Sequence, residues 1–369
     1  MKKFLKTSWI ILCVFLLIFY LIASASTFIP PTFFSYISIF AIAFPYILIV
    51  IIICCIISFF ISKKLGWLLL IALFFGYRNT VNSFAFNADN WHQKKDSNSL
   101  RIMTWNVEDF QNPFPESWHL SDVRTQMLKT IQQLNPDIMC FQEYKNIENG
   151  APMISVQHLL DSIGYHFNYC SDDSVNYFKS AKYKQGVVIF SKKPFADSSR
   201  IKIDINGNEN LAYADVIFQN KRVRIFTAHL LSFSLYTDTS RAADKGKNIY
   251  KLTYDRKHPI LTKLKETEII HEKEVTIIRK TVAASPYPVV YCGDMNTTPA
   301  SYNYRILKDD LQDAFLEKGF GLGTTFYKII PTLRIDVCFA DKKLKVLQCK
   351  VEEKKLSDHY PVITDLQWK

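Results

Sequence analysis

No CxxC pair and no Cys/His spacing of the zinc-binding kind occurs among the eight cysteines, so the sequence offers no structural zinc site. Cys13, Cys54 and Cys55 lie in apolar runs. Cys140, Cys292 and Cys338 fall inside predicted core strands, where cysteine behaves as a small apolar residue. The five cysteines beyond residue 100 form no disulfide framework. A long basic run is missing too. The net charge of +11 is dispersed over short clusters (Lys182-Tyr183-Lys184, Lys192-Lys193, Lys342-Lys343 and Lys354-Lys355) with acids between them. This argues against a dedicated nucleic-acid groove, and no helix carries an Arg-rich face for reading DNA. A positive field would still assist the approach of a phosphate-bearing substrate. A regular alternation of strand and helix is also lacking, which excludes a doubly wound parallel sheet.

What is present begins with a stretch free of charge. Ser8 to Ile29 is 22 residues without a charged side chain, preceded by Lys2, Lys3 and Lys6. At about 1.5 Å per residue it reaches roughly 33 Å, enough for a bilayer core. A cleaved signal peptide competes with this reading, because Ala23-Ser24-Ala25 resembles a cleavage site. The length of the apolar core and a second apolar run from Phe33 to Ile61, with a kink expected at Pro45, weigh against it. A third run, Leu65 to Tyr77, reaches only about 20 Å, and extending it to Phe86 admits Arg78, Asn79 and Asn82. Lys2, Lys3, Lys6 and Lys63-Lys64 mark the inner side. A third span would then put the remaining chain outside, and an interfacial third segment would leave it in the cytoplasm. The expectation is a multi-pass protein of the cell (inner) membrane with an extracytoplasmic soluble part. Residues 1–83 are the transmembrane region of two or three helices, 84–99 a polar linker, and 100–369 the soluble domain.

Within that domain, strands are predicted over 101–107, 138–141, 186–191, 211–218, 222–229, 288–292, 335–340, 344–351 and 362–366. Helices are predicted over 122–134, 155–163 and 263–284. Ser232–Pro259 is a long polar stretch with Tyr236, Tyr250 and Tyr254, read as a loop at a substrate rim or a membrane-facing flap. Several of the apolar strands finish in polar residues: Trp105-Asn106, Gln142-Glu143, Thr227-Ala228-His229 and Gly293-Asp294-Met295-Asn296. Arg334-Ile335-Asp336 and Ser357-Asp358-His359 complete the set. A rigid strand that ends in Asn, Glu, His or Asp presents a ligand from a fixed edge.

Taken with Gly186–Ser191, these motifs run in an order that resembles the endonuclease/exonuclease/phosphatase superfamily over about residues 100–369. The resemblance implies an α/β (α+β) fold, a four-layer αββα sandwich of two mixed β-sheets, here preceded by the N-terminal transmembrane helices. It also implies a divalent-metal-dependent phosphoesterase. Phosphoesters are anionic, and a hard cation such as Mg²⁺ (or Mn²⁺) with oxygen ligands neutralises that charge. Glu143 is the leading metal ligand, with Asn106 assisting or holding Glu143, Asp358 completing the sphere or holding its loop, and Glu108 a weaker candidate. His359 is read as general base or transition-state partner on the attacking water, with Asp336 accepting its other N–H. By resemblance, Asp294 orients the water and Asn296 donates to a phosphoryl oxygen. His229 is expected to donate to the phosphate or leaving group, where abasic-site endonucleases place a Tyr. Arg334 either pairs with an acid or touches phosphate, and Tyr183 is placed in a loop before Gly186. The substrate is expected to be a phosphodiester or phosphomonoester, lipid-derived or nucleic acid. The alternatives are an extracytoplasmic nuclease and a non-catalytic membrane scaffold of the same fold.

Overall fold

The computed structural model describes residues 2–88, 91–110, 122–148, 156–178, 181–203, 208–233, 260–328, 330 and 332–369. All but the first two residues of the predicted loop Ser232–Pro259 lie outside the described residues. The helices are α1 Lys2–Ala25, α2 Ile37–Ile61, α3 Lys63–Leu73, α4 Tyr77–Ser83, α5 Asp122–Leu134, α6 Val156–Ser162, α7 Ile260–Ala283, α8 Tyr302–Lys308 and α9 Ala314–Lys318. The first strands are β1 Ala85–Phe86, β2 Leu100–Asn106, β3 Ile138–Glu148, β4 Phe167–Cys170, β5 Ser174–Phe178, β6 Ala181–Ser191 and β7 Phe195–Lys202. They are followed by β8 Asn210–Phe218, β9 Lys221–His229, β10 Val289–Asp294, β11 Gln312–Asp313, β12 Phe320–Gly321, β13 Asp336–Ala340, β14 Leu344–Val351 and β15 Val362–Trp368.

Two mixed sheets stack face to face. One runs β14-β15-β2-β3-β6-β4, with β5 on β6; the other runs β11-β13-β10-β9-β8-β7. Each has one parallel pair at its centre, β2 with β3 and β10 with β9, so four strand ends point the same way at the middle of the sandwich. Side-chain alternation builds the layers. Ile102, Cys140, Ile189, Ile225, Val290, Cys292 and Cys338 fill the space between the sheets. Their neighbours Met103, Trp105, Met139 and Phe141 turn outward against Met127, Ile131 and Leu160 of α5 and α6. On the other side Phe226, Tyr291 and Phe339 meet Val275, Ile278 and Leu307 of α7 and α8. This is the expected four-layer αββα sandwich. With both faces of each sheet covered, the central strands read as continuous apolar runs, not as alternating ones.

The N-terminal helices form an antiparallel bundle. Trp9 Nε1 donates to Ser58 Oγ at 3.0 Å across α1 and α2. The third apolar run, short by length alone, continues through a 3₁₀ turn Phe74–Gly76 into α4 and packs on α1. There Tyr20 Oη donates to the Leu73 carbonyl at 3.0 Å and Asn79 Nδ2 to the Ala23 carbonyl at 2.9 Å. A side chain at Gly76 would put its Cβ 2.1 Å from Tyr20 Oη, so this close crossing needs glycine. Lys3–Ala25 and Ile37–Ile61 are long and apolar enough to cross a membrane.

The bundle is docked on the sandwich. Ser26 Oγ donates to the Ala300 carbonyl (2.7 Å), Arg305 Nε to the Thr27 carbonyl (2.7 Å), and the Thr32 backbone N–H to Glu272 (2.8 Å). Strand β1 pairs with β12, and Trp91 packs under the outer face of the first sheet while the Arg101 guanidinium covers its ring. Glu268 of α7 is buried at this junction. It accepts from Asn303 Nδ2 at 2.9 Å and Thr297 Oγ1 at 3.5 Å, and it is hydrogen-bonded to Ser38 of α2. Burial pushes its carboxyl up to about 7 from the ordinary 4.5. A folded-state pKa raised in this way contributes stability that is whole below the unfolded value and is lost as pH rises through about 7. The loss by about pH 8 is on the order of 3 kcal/mol. Thermal unfolding of the full chain is expected to show a midpoint that falls between about pH 5 and 8. Glu268→Gln should flatten that slope, because His359 and His271 contribute equally to both proteins, and equal slopes in both proteins would contradict this account.

Candidate active site

Backbone geometry presents the polar residues at the shared sheet edge. The first is Asn106, the last residue of β2, buried, with Nδ2 donating to Glu143 Oε1 and to Asp294 Oδ2, both at 3.2 Å. Immediately beyond it, Glu108, Asp109 and Phe110 all have positive φ (43°, 58° and 54°), a left-handed turn costly for non-glycine residues and a common companion of functional loops. Glu143 departs from expectation. It does not end its strand: β3 continues to Glu148, and Glu143 (φ 51°) sits in a β-bulge where the register to β6 shifts between Phe141 and Tyr144. The bulge turns its carboxylate toward the neighbouring sheet.

His229 ends β9 and Asp294 ends β10, in register with each other. The strands approach closely there. A Cβ on Gly293 would lie 2.3 Å from the Ala228 carbonyl oxygen, which accounts for glycine before Asp294. His229 Nε2 lies 3.8 Å from Glu143 Oε1 and 3.7 Å from Asp294 Oδ2. Asp294 Oδ1 accepts the Asn296 backbone N–H at 2.8 Å, and Asn296 (φ 46°) donates Nδ2 to the Leu230 carbonyl (2.9 Å), with His229 Nε2 3.2 Å from the same nitrogen.

His359 comes from the loop before β15 and Asp336 from the start of β13. His359 Nδ1 is 2.8 Å from Asp336 Oδ2, and its Nε2 lies 3.7 Å from Asp294 Oδ2 and 4.0 Å from Asp358 Oδ1. Burial alone would hold this imidazole below its ordinary range. The Asp336 and Asp294 carboxylates outweigh it and push the ring up to about 10. Burial raises Asp336 as well, against the opposing pull of His359. We place the proton on His359, because three carboxylates face one ring. Asp336 Oδ1 is buried without a hydrogen-bond partner among the described residues. Ligand atoms of Asp294, Asp336 and His359 lie within 4.8 Å of one another.

The structure thus brings all eight predicted site residues to one edge. Their motif neighbours act as braces. Trp105 Nε1 holds the His359 carbonyl at 3.0 Å, Ser357 Oγ holds the Asn106 carbonyl at 2.7 Å, and Gln142 Nε2 crosses between the sheets to Thr227 Oγ1 at 3.0 Å. Of the two alternatives for Arg334, the structure shows the acid pair: it is buried and bonded to Asp313 and to the Asn82 carbonyl, an ion pair at the helix bundle. One expectation changes. Tyr183 lies within β6, not in a loop.

Sequence reasoning missed the segment before β13. Thr325 Oγ1 accepts the backbone N–H groups of Ile335 (3.0 Å) and Asp336 (3.1 Å), and the Phe326 ring lies 4.8 Å from the His359 ring. Lys328 spans Glu108 (3.2 Å) and Asp358 (3.7 Å) at the mouth. Also missed was a clamp behind His229. His271 Nε2 bonds the Leu231 carbonyl at 2.6 Å, with the imidazole driven down to about 4 by burial, and Glu274 accepts from the Leu231 N–H at 3.3 Å. No local pattern marks these residues, because each acts through a contact distant in sequence.

Comparison with known proteins bears on this geometry. A model of the Endonuclease/Exonuclease/phosphatase family matches residues 103–359. A second model, described as a domain of unknown function, matches residues 2–84. No curated protein matches the chain. Among solved structures, an endonuclease/exonuclease/phosphatase from Beutenbergia cavernae is similar at 20% identity and a TM-score of 0.52, over 73% of this chain and 72% of that one. A family protein from Leptotrichia buccalis is similar at 17% identity and a TM-score of 0.51, over 73% and 100%. The human Nocturnin catalytic domain, solved with a bound sulfate anion, is similar at 15% identity and a TM-score of 0.50, over 73% and 94%. At these identities the likeness to solved structures shows the fold.

Proposed function

Since the chain belongs to the endonuclease/exonuclease/phosphatase family, whose members hydrolyse phosphoester bonds with a divalent metal, we propose that it is a membrane-anchored, Mg²⁺-dependent phosphoesterase. The observation that carries this reading is the convergence of Asn106, Glu143, His229, Asp294 and His359 within hydrogen-bond or near-contact distance of one another. The donor set fits a hard cation. It is rich in carboxylate and amide oxygen, supplied by Glu143, Asp358 and Asn106 beside the buried Asp294. Glu143, with Asn106 and Asp358, would hold the metal. When bound, the metal supplies charge neutralisation of the phosphate and its leaving oxygen.

The remaining steps belong to the protein. Asp294 orients the attacking water and accepts its proton. Asn296 Nδ2 donates to a phosphoryl oxygen, and His229 donates to the phosphate or leaving-group oxygen. His359, held by Asp336 at 2.8 Å, acts as the transition-state partner, since the facing Asp336 and Asp294 carboxylates favour its protonated, donating form. Lys328 balances Glu108 and Asp358 at the rim.

Membrane anchoring is supported by the outward faces of the bundle. Phe4, Ile11, Phe15, Ile53, Ile56, Phe60, Ile71 and Phe74 are exposed, a far larger apolar surface than water tolerates. Lys3, Lys6, Lys63 and Lys64 lie at the bundle end away from the sandwich, which favours three crossings and an extracytoplasmic catalytic domain over residues 100–369. The test is hydrolysis of bis(p-nitrophenyl) phosphate by the full chain in detergent. EDTA is expected to lower turnover by at least about 100-fold, with Mg²⁺ or Mn²⁺ restoring it. Full turnover in EDTA would overturn the reading.

A further inference from the structure

The docking of the helix bundle bears on where the substrate comes from. The bundle meets the sandwich at the same edge that carries the polar site, on two of its walls. Ala300, only four residues after Asn296, accepts from Ser26 at the end of α1, and Thr297 shares the Glu268 network with Ser38 at the start of α2. The segment that sets Phe326 against His359 continues to Thr332, whose hydroxyl lies 2.7 Å from Tyr46 Oη of α2. Four residues of chain reach at most about 14 Å, so Asn296 lies within about 14 Å of the bundle's outer end. The polar headgroup zone of a bilayer is about 5–7 Å thick on each side. The phosphate-binding edge therefore stands no farther than about 14 Å from the apolar bundle, in or just outside the headgroup zone, held there by hydrogen bonds and not suspended on a flexible tether. Phe28, Phe33, Phe34 and Tyr36 are exposed in the turn between α1 and α2, the level at which aromatic residues meet headgroups.

We propose that the substrate is a phosphoester carried on a membrane-embedded lipid, cleaved while its chains remain in the bilayer. This rests on the phosphoesterase reading above. Water attacks phosphorus, the bond to the leaving oxygen breaks, and that oxygen takes up a proton, so lipid and headgroup separate without any co-reactant but water. A lipid held in the same leaflet is presented at high effective concentration, which distinguishes it from a dissolved ester of the same chemistry.

The experiment uses the full chain in phosphatidylcholine nanodiscs carrying either phosphatidic acid or phosphatidylglycerol. Soluble short-chain analogues of both, a single-stranded oligonucleotide and bis(p-nitrophenyl) phosphate serve as comparisons. At equal bulk concentration, at least one embedded ester is expected to turn over about 100-fold faster than its short-chain analogue. A Glu272→Ala/Arg305→Ala double variant loosens the docking without touching the site. It should lower that preference about tenfold while leaving bis(p-nitrophenyl) phosphate hydrolysis unchanged. Metal-dependent cleavage of bis(p-nitrophenyl) phosphate with refusal of both embedded lipids, or with preference for the oligonucleotide, overturns the lipid assignment and leaves the phosphoesterase reading standing. Failure to cleave any of the esters overturns both.

Discussion

Replacing His359 by alanine should lower kcat by about 10³–10⁴-fold with little change in KM. Its Nε2 lies 3.7 Å from Asp294, which orients the attacking water in the proposed mechanism, so the donor is spent mainly on charge that develops in the transition state. Loss of one preorganised donor to such charge costs about 10²–10³, and loss of its ordered proton adds to this. The variant strands Asp336, which is buried, so that carboxyl takes up a proton in place of the lost imidazole. Asp336→Asn is the companion measurement. It keeps the ring in place but removes the acceptor that fixes its orientation and charge, and it should cost about 10²–10⁴ in kcat. If either variant, folded by circular dichroism, works within tenfold of the wild-type rate, the role given to this pair is wrong.

The second large effect falls on stability. Arg334→Met should destabilise the full chain by about 3–5 kcal/mol, because it leaves Asp313 as an uncompensated buried charge. The side chains are 2% and 0% exposed, and Arg334 also binds the Asn82 carbonyl at the end of α4. Asp313 keeps its bonds from Tyr304 Oη and from the first N–H groups of α9, which bounds the loss. An Arg334→Met/Asp313→Asn double variant removes both charges and should recover part of it. Denaturant unfolding of the three proteins measures the difference. A loss under about 1 kcal/mol in the single variant, or no recovery in the double, would contradict the assignment. Arg334 lies two residues before Asp336, so a looser pin should also lower activity, although the arginine touches no substrate.

Much of the site could be read along the chain, because its carriers are buried strands that stop abruptly at a polar residue. Asn106, His229 and Asp294 stand at such ends. Glu143 was legible as a residue but not as a conformation, since a bulge depends on the register of a partner strand 40 residues away. Arg334 was ambiguous for the same reason: its partner Asp313 and the Asn82 carbonyl are brought to it only by the fold. The buried Arg101–Asp365 pair and the short strands β4 and β5 carry no local signal either. The third apolar run continues from α3 through a 3₁₀ turn into α4, and of the polar groups that weakened its pattern Asn79 donates to the Ala23 carbonyl of α1, a partner that only the fold supplies. The docking of bundle on sandwich was beyond reach from sequence, being made of single contacts between residues far apart in the chain.

The most direct test is the position of the metal itself. Crystals of the full chain containing Mn²⁺ and inorganic phosphate should give one anomalous peak at ligand distance from the Glu143 carboxylate, with the phosphate within hydrogen-bond reach of His359 Nε2 and Asn296 Nδ2. A peak held by Asp294, Asp336 and His359 away from Glu143, or phosphate and metal in separate pockets, would contradict the account.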